Sequence, residues 1–162
     1  ISDGSTAGGV PLVLHYIRNV ISATSDTTLT VAQSGSVCSG AKADGITITL
    51  PAAAAGLTYA VHVATTITSN NFTITGASSA DTMQGQLISN DFTDLGSLTI
   101  MNENVATVAF DQPAADDHQI VMDGTTKGGK LGSYVNCTAI TAAIWHVDGF
   151  LSSDGSLATC FT

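Results

Sequence analysis

The segment 46–50, ITITL, alternates an aliphatic residue with threonine at every position. Side chains along an extended strand point to opposite faces in turn. Ile46, Ile48 and Leu50 therefore share one face, and Thr47 and Thr49 share the other. Segment 57–64, LTYAVHVA, repeats the pattern, with Leu57, Tyr59, Val61 and Val63 set against Thr58, Ala60 and His62. Pro51 ends the first strand, because it has no N–H to give to a ladder. A chain made of such pieces must bury one face of a sheet against something else.

Further strands are expected over 10–20, where a short helix is the alternative, and over 27–31, 34–39, 72–74 and 119–122. Two more, 98–102 and 105–110, flank Glu103-Asn104 at hairpin spacing. In the last third, 134–137 and 142–147 read as strands, the second carrying the only tryptophan, Trp145. Asp123-Gly124 and Asp148-Gly149 read as turns that break the chain. Segment 51–56 reads as a turn closed by Gly56, and 76–83 as a polar loop. No strongly amphipathic helix and no fixed-period repeat stands out. Roughly nine or ten short strands with regular turn signals predict an all-β domain. The expectation is one antiparallel β-sandwich or barrel-like domain, jelly-roll or Greek-key in type, over 12–162. Residues 1–11, rich in Gly and Ser, are expected to form an extended arm, flexible or bound to a partner.

Composition narrows the function. Of the 162 residues, 13 are acidic and 4 basic, a net charge of −9. Charged residues make up only 10% of the chain, against roughly 25% in ordinary soluble domains. Polarity comes instead from threonine, serine and asparagine, and threonine suits a half-exposed pleated surface. Arg18, Lys42, Lys127 and Lys130 cannot make a phosphate-binding stripe, so nucleic acid and anionic membranes are disfavoured partners. No apolar run approaches the ~20 residues of a spanning helix. The opening ISDGSTAGG has neither the basic nor the apolar region of a signal peptide. Cys38, Cys137 and Cys160 lack metal-ligand spacing and are expected as buried, reduced thiols, with one intrachain disulfide as the alternative.

Motifs with chemical content are few. Residues 124–130, GTTKGGK, fit G-x-x-x-x-G-K. A phosphate-binding loop would next need Ser or Thr and a helix, whereas Leu131, Gly132 and a strand follow. The segment reads as a glycine-rich turn. Asp116-Asp117-His118 is the one local acidic and histidine cluster, with too few ligands for zinc or calcium. His62 and His146 fall mid-strand among apolar neighbours. No G-x-S-x-G elbow presents a serine, and the cysteines lack a setting that favours thiolate. Asp91, Asp94, Glu103 and Asp111 could supply a carboxylate pair but read as solvated turn formers. Asn71-Phe72-Thr73 and Asn136-Cys137-Thr138 match a glycosylation acceptor but lie in strands. No cofactor, metal or catalytic residue is expected.

Four segments, 48–63, 69–85, 123–135 and 144–161, together resemble small virion surface proteins of tailed bacteriophages. The last of them, IWHVDGFLSSDGSLATCF, is similar to the W-x-V-x-G…G-x-x-x-T-x-F ending of that group. Cys160 stands where the group often has proline. The resemblance implies a non-enzymatic capsid decoration (cement) protein on the outer capsid surface. Its implied partners are the major capsid protein and further copies of itself, as a homotrimer. Interface candidates are Ile1, Val10, Pro11, Leu12 and Trp145. A threonine-rich β-domain without a reaction centre fits the task of holding a surface together, and the net negative charge opposes nonspecific association. The alternative is a fibre, spike or adhesion module binding a host receptor or glycan, with Tyr16, Tyr59, Tyr134 and Trp145 as contact aromatics. A glycan-active enzyme and a subunit of a surface filament are the remaining readings.

Overall fold

The computed structural model describes residues 18–91 and 108–162. The 1–11 arm, with Ile1, Val10 and Pro11, lies outside the described residues. So do Leu12, Tyr16, Asp94, Glu103 and most of the 98–110 hairpin. Eleven strands are described: β1 (Val20–Ala23), β2 (Thr27–Thr28), β3 (Val37–Gly40), β4 (Thr47–Thr49), β5 (Thr58–Val63), β6 (Phe72–Thr75), β7 (Thr82–Asp91), β8 (Val108–Asp111), β9 (Gln119–Met122), β10 (Tyr134–Ala139) and β11 (Ile144–Ser153). One 3-10 turn, Val31–Gln33, is the only helical element among them.

The strands form two sheets packed face to face, so the all-β sandwich expected from the alternation holds. A seven-stranded sheet runs β1-β3-β5-β10-β11-β7-β8, and a four-stranded sheet runs β2-β4-β6-β9. The expected antiparallel jelly-roll or Greek-key pairing does not. In the large sheet β1, β3 and β5 are parallel, and in the small sheet β2, β4 and β6 are parallel. The chain thus steps from sheet to sheet in a three-rung coil before β7. Alternation records which face is buried but is the same for parallel and antiparallel neighbours. Side chains lock the rungs together: the Asp26 carboxylate accepts from Thr47 N at 2.8 Å, and Asn70 Nδ2 donates to the Asp44 carbonyl at 3.1 Å.

The second half closes the sandwich. β9 adds antiparallel to β6, while the β10–β11 hairpin inserts between β5 and β7. Two departures from the sequence reading matter here. β11 runs straight through Asp148-Gly149, where a turn was expected, because pairing with β10 on one side and β7 on the other outweighs the local turn signal. β7, ten residues long, overlaps the expected 76–83 loop at Thr82 and Met83 and continues where no strand is expected; its glutamines and Gly85 hide the period-two pattern.

One core fills the space between the sheets. It contains Leu29, Ile48, Leu50, Tyr59, Val61, Phe72, Ile74, Leu87, Ile120, Val135, Trp145, Val147 and Leu151. The aliphatic side of ITITL and the odd-numbered residues of β5 point into it, as the alternation required.

Candidate functional site

The outer face of the large sheet carries the side chains that the core does not use. Along β11, Trp145, Val147 and Leu151 are buried while His146 and Asp148 are exposed. Registers extend this alternation across the sheet. His62 of β5 stands beside Tyr134 of β10, Tyr134 beside Phe150 of β11, Phe150 beside Ile88 of β7, and Ile88 beside Phe110 of β8. Five neighbouring strands thus present one row of aromatic and aliphatic groups. Tyr134 and His62 stack, with ring centroids 5.7 Å apart and planes inclined by 23°. At the β8 end of the row Ile88 is 37% exposed and Phe110 64%, with Val108 at 49% on the same strand.

A polar row runs beside it. Asn136 stands next to Asp148, and Asp148 next to Gln86. Asn136 Nδ2 donates to Asp148 Oδ2 at 2.9 Å, which fixes the carboxylate. One step further, Thr138, His146 and Gln84 make a third row. Between the rows lies an open groove of about 570 Å³, lined by Gly85, Gln86, Ile88, Gln112, Tyr134, His146, Asp148 and Gly149. Its floor includes bare backbone. A Cβ on Gly85 would come within 2.0 Å of the Val147 carbonyl oxygen, and one on Gly149 within 2.2 Å of the Tyr134 carbonyl oxygen.

The other candidate groups are committed to structure. Most backbone amides of the 124–130 loop are taken by the protein. Thr125 N and Lys127 N donate to Asp123 Oδ1, Gly128 N to Ser153 Oγ, and Gly129 N to Ser133 Oγ. A phosphate cradle would need those amides free, and β10 follows instead of a helix. Lys130 pairs with Asp154. Asp117 Oδ2 accepts from Ala114 N at 2.7 Å, closing a turn, and His118 Nδ1 lies 3.4 Å from the Asp116 carbonyl. Asp111 accepts from Cys160 N and Thr159 Oγ1, and Asp91 from Gly155 N. No group of three or more His, Cys, Asp or Glu among the described residues is placed to hold a metal ion.

Trp145, expected at an interface, is completely buried and packs against Tyr59. Tyr59 is buried as well, and its hydroxyl donates to the Thr30 carbonyl at 2.9 Å. Of the aromatics named from sequence, Tyr134 is on the surface and in the groove. Gln86, Ile88, Gln112, His146 and Asp148 were not singled out as one site. The signal for the last two was present, since both lie on the polar side of the alternation that buries Trp145 and Val147.

The three thiols are buried and free. Burial pushes Cys38 up to about 11. Burial, with the Asp148 charge adding to it, pushes Cys137 up to about 12. Burial and then Asp111 raise Cys160 further still. A thiol in that state is a packing group and a poor nucleophile at neutral pH.

Comparison with protein-family models, curated proteins and solved structures finds no match to this chain.

Proposed function

We propose that this chain is a non-enzymatic structural protein of a virion, most concretely a capsid decoration protein that binds the outer shell and reinforces it. One observation carries the reading beyond the sequence resemblance. Ile88, Val108 and Phe110 form an exposed apolar patch where β7 meets β8. Side chains of this size gathered on a sheet face are the kind of surface that a protein partner covers. The rest of the domain suits a passive load-bearing role. Its thiols are buried, and many of its aspartates lock turns rather than face a cleft. The major capsid protein and further copies of the chain, as a trimer, are the proposed partners.

A fibre or spike module is the second reading, favoured by the groove beside Tyr134. Copy number separates the two. Quantitative mass spectrometry of purified particles should find this chain at a copy number comparable to the major shell protein. A few copies per particle would sink the decoration reading in favour of a fibre or spike. Phe110→Ser should strip the protein from particles without unfolding it. Retention at the wild-type level would remove the patch from the argument.

A further inference from the structure

We infer that the groove on the outer face of β10, β11 and β7 is a binding site for a neutral saccharide. The inference deepens the fibre or spike reading, which rests on the same groove, and does not depend on the decoration reading; the groove shares Ile88 with the apolar patch but not Val108 or Phe110.

The argument starts from the shape of the site. Gly85 and Gly149 stand in the core-facing register, beside Val147 and beside Leu87 and Val135. Close approach to the Val147 and Tyr134 carbonyls forbids a larger residue at either place, so β7, β10 and β11 lie close together beneath the groove, whose walls are the outward-facing rows.

The lining then selects the ligand. Tyr134, about one-third exposed as a residue, offers a ring held by stacking on His62. A pyranose presents a C–H face that packs on such a ring, much as other apolar surface does. Gln86, Gln112, Asp148 and His146 line the same groove. Two amides supply both donors and acceptors, the carboxylate accepts, and the imidazole can do either. That mixture matches the hydroxyl rim of a sugar, where each group both donates and accepts. Asp148 is already oriented by Asn136, so less rotamer freedom is lost on binding.

Other ligand classes fit less well. No lysine or arginine lines the groove, while Asp148 does, so phosphates and acidic sugars meet an unfavourable field. A purely apolar ligand would strip water from two glutamines, an aspartate and a histidine without replacing their hydrogen bonds.

The test is saturation-transfer NMR on the whole chain with cellotetraose, mannotetraose, galactotetraose and chitotetraose as probes, and tetragalacturonate as the acidic comparison. At least one neutral probe should show transfer, strongest at its ring C–H protons. Tyr134→Ala and Asp148→Asn should each weaken binding by about tenfold or more. Both positions are solvent-facing, and an unchanged far-UV spectrum and melting curve would establish that the variants fold. Phe110→Ser should bind sugar as wild type does, which separates failure of the groove from failure of the apolar patch. Absence of transfer from every neutral probe would overturn the inference. So would equal binding by both groove variants, or stronger binding of the galacturonate.

Discussion

Tyr59 and Trp145 meet inside the sandwich with ring centroids 5.9 Å apart and planes tilted by 56°. They come from β5 and β11, which are separated by β10. The intervening strand contributes Cys137 and Ala139 to the core, two small residues that leave room for the rings to touch over it. Trp145→Ala removes the largest fully buried side chain and should cost about 3–5 kcal/mol. Trp145→Phe should cost clearly less, for two reasons. It keeps an aromatic ring against Tyr59, and it sheds an indole N–H that has no acceptor among the described residues. Urea unfolding followed by far-UV circular dichroism measures both, since neither variant retains a tryptophan to report by fluorescence. Equal destabilisation by the two substitutions would show that the tilted ring contact contributes little.

The Asp123 carboxylate organises the loop that resembles a phosphate-binding motif. Burial opposes its ionisation. Hydrogen bonds from Lys127 N, Thr125 N and the Thr126 hydroxyl outweigh that and hold it below the ordinary carboxylate value. In the unfolded chain it takes up a proton at a higher pH than in the native state. Its stabilising contribution is therefore complete above the unfolded value and is lost as pH falls through the native one. Asp123→Ala should cost about 2 kcal/mol at neutral pH. The gap between variant and wild type should narrow as the solution is acidified below the ordinary carboxylate range. A gap that stayed constant with pH would mean that the loop does not depend on the ionised carboxylate.

How far the sequence could be read differs between core and topology. The buried faces of β4 and β5 were legible because each carries alternation, and Pro51 stops the first. The direction of strand pairing was not, because Ile48 points inward whether β6 lies parallel or antiparallel beside it. Asp148-Gly149 misled for a different reason. As a dipeptide it favours a turn, but between two paired strands Gly149 serves close backbone approach and Asp148 faces solvent beside Asn136. The groove was harder still to see. Tyr134, Gln86, Gln112 and Asp148 are brought together by a parallel β7–β11 pairing between segments more than fifty residues apart, and no local pattern encodes that partner.

Buried thiols give a prediction with two observables. An ordinary thiol ionises near about 8.5, whereas Cys38 is raised to about 11 and Cys137 to about 12. Native protein at neutral pH should resist a disulfide reagent such as DTNB, and all three thiols should react once the chain is unfolded. The linkage sign follows from the same shift. Between the unfolded and native values the unfolded chain has lost protons that the native chain keeps. Stability therefore falls as pH rises past the ordinary thiol range. Replacing Cys38 and Cys137 with alanine should flatten that alkaline decline, whatever the substitutions cost at pH 7. Rapid labelling of the native protein would show that these thiols are reached without unfolding.

Gly85 and Gly149 give the sharpest test of the large sheet, because each has a different reason to be glycine. At Gly85 the backbone has φ +128°, a conformation that L side chains rarely adopt, and a Cβ would also lie 2.0 Å from the Val147 carbonyl oxygen. At Gly149 the obstacle is space alone, with the Tyr134 carbonyl oxygen 2.2 Å from the Cβ position. Gly149→Ala must push β10 and β11 apart and should cost about 1–3 kcal/mol as overpacking. Gly85→Ala adds backbone strain of about 1–3 kcal/mol to a similar clash and should be the worse of the two. Denaturant midpoints rank them directly. If Gly149→Ala proved as costly as Gly85→Ala, the clash with a neighbouring carbonyl, rather than the left-handed backbone, would be what makes these positions glycine.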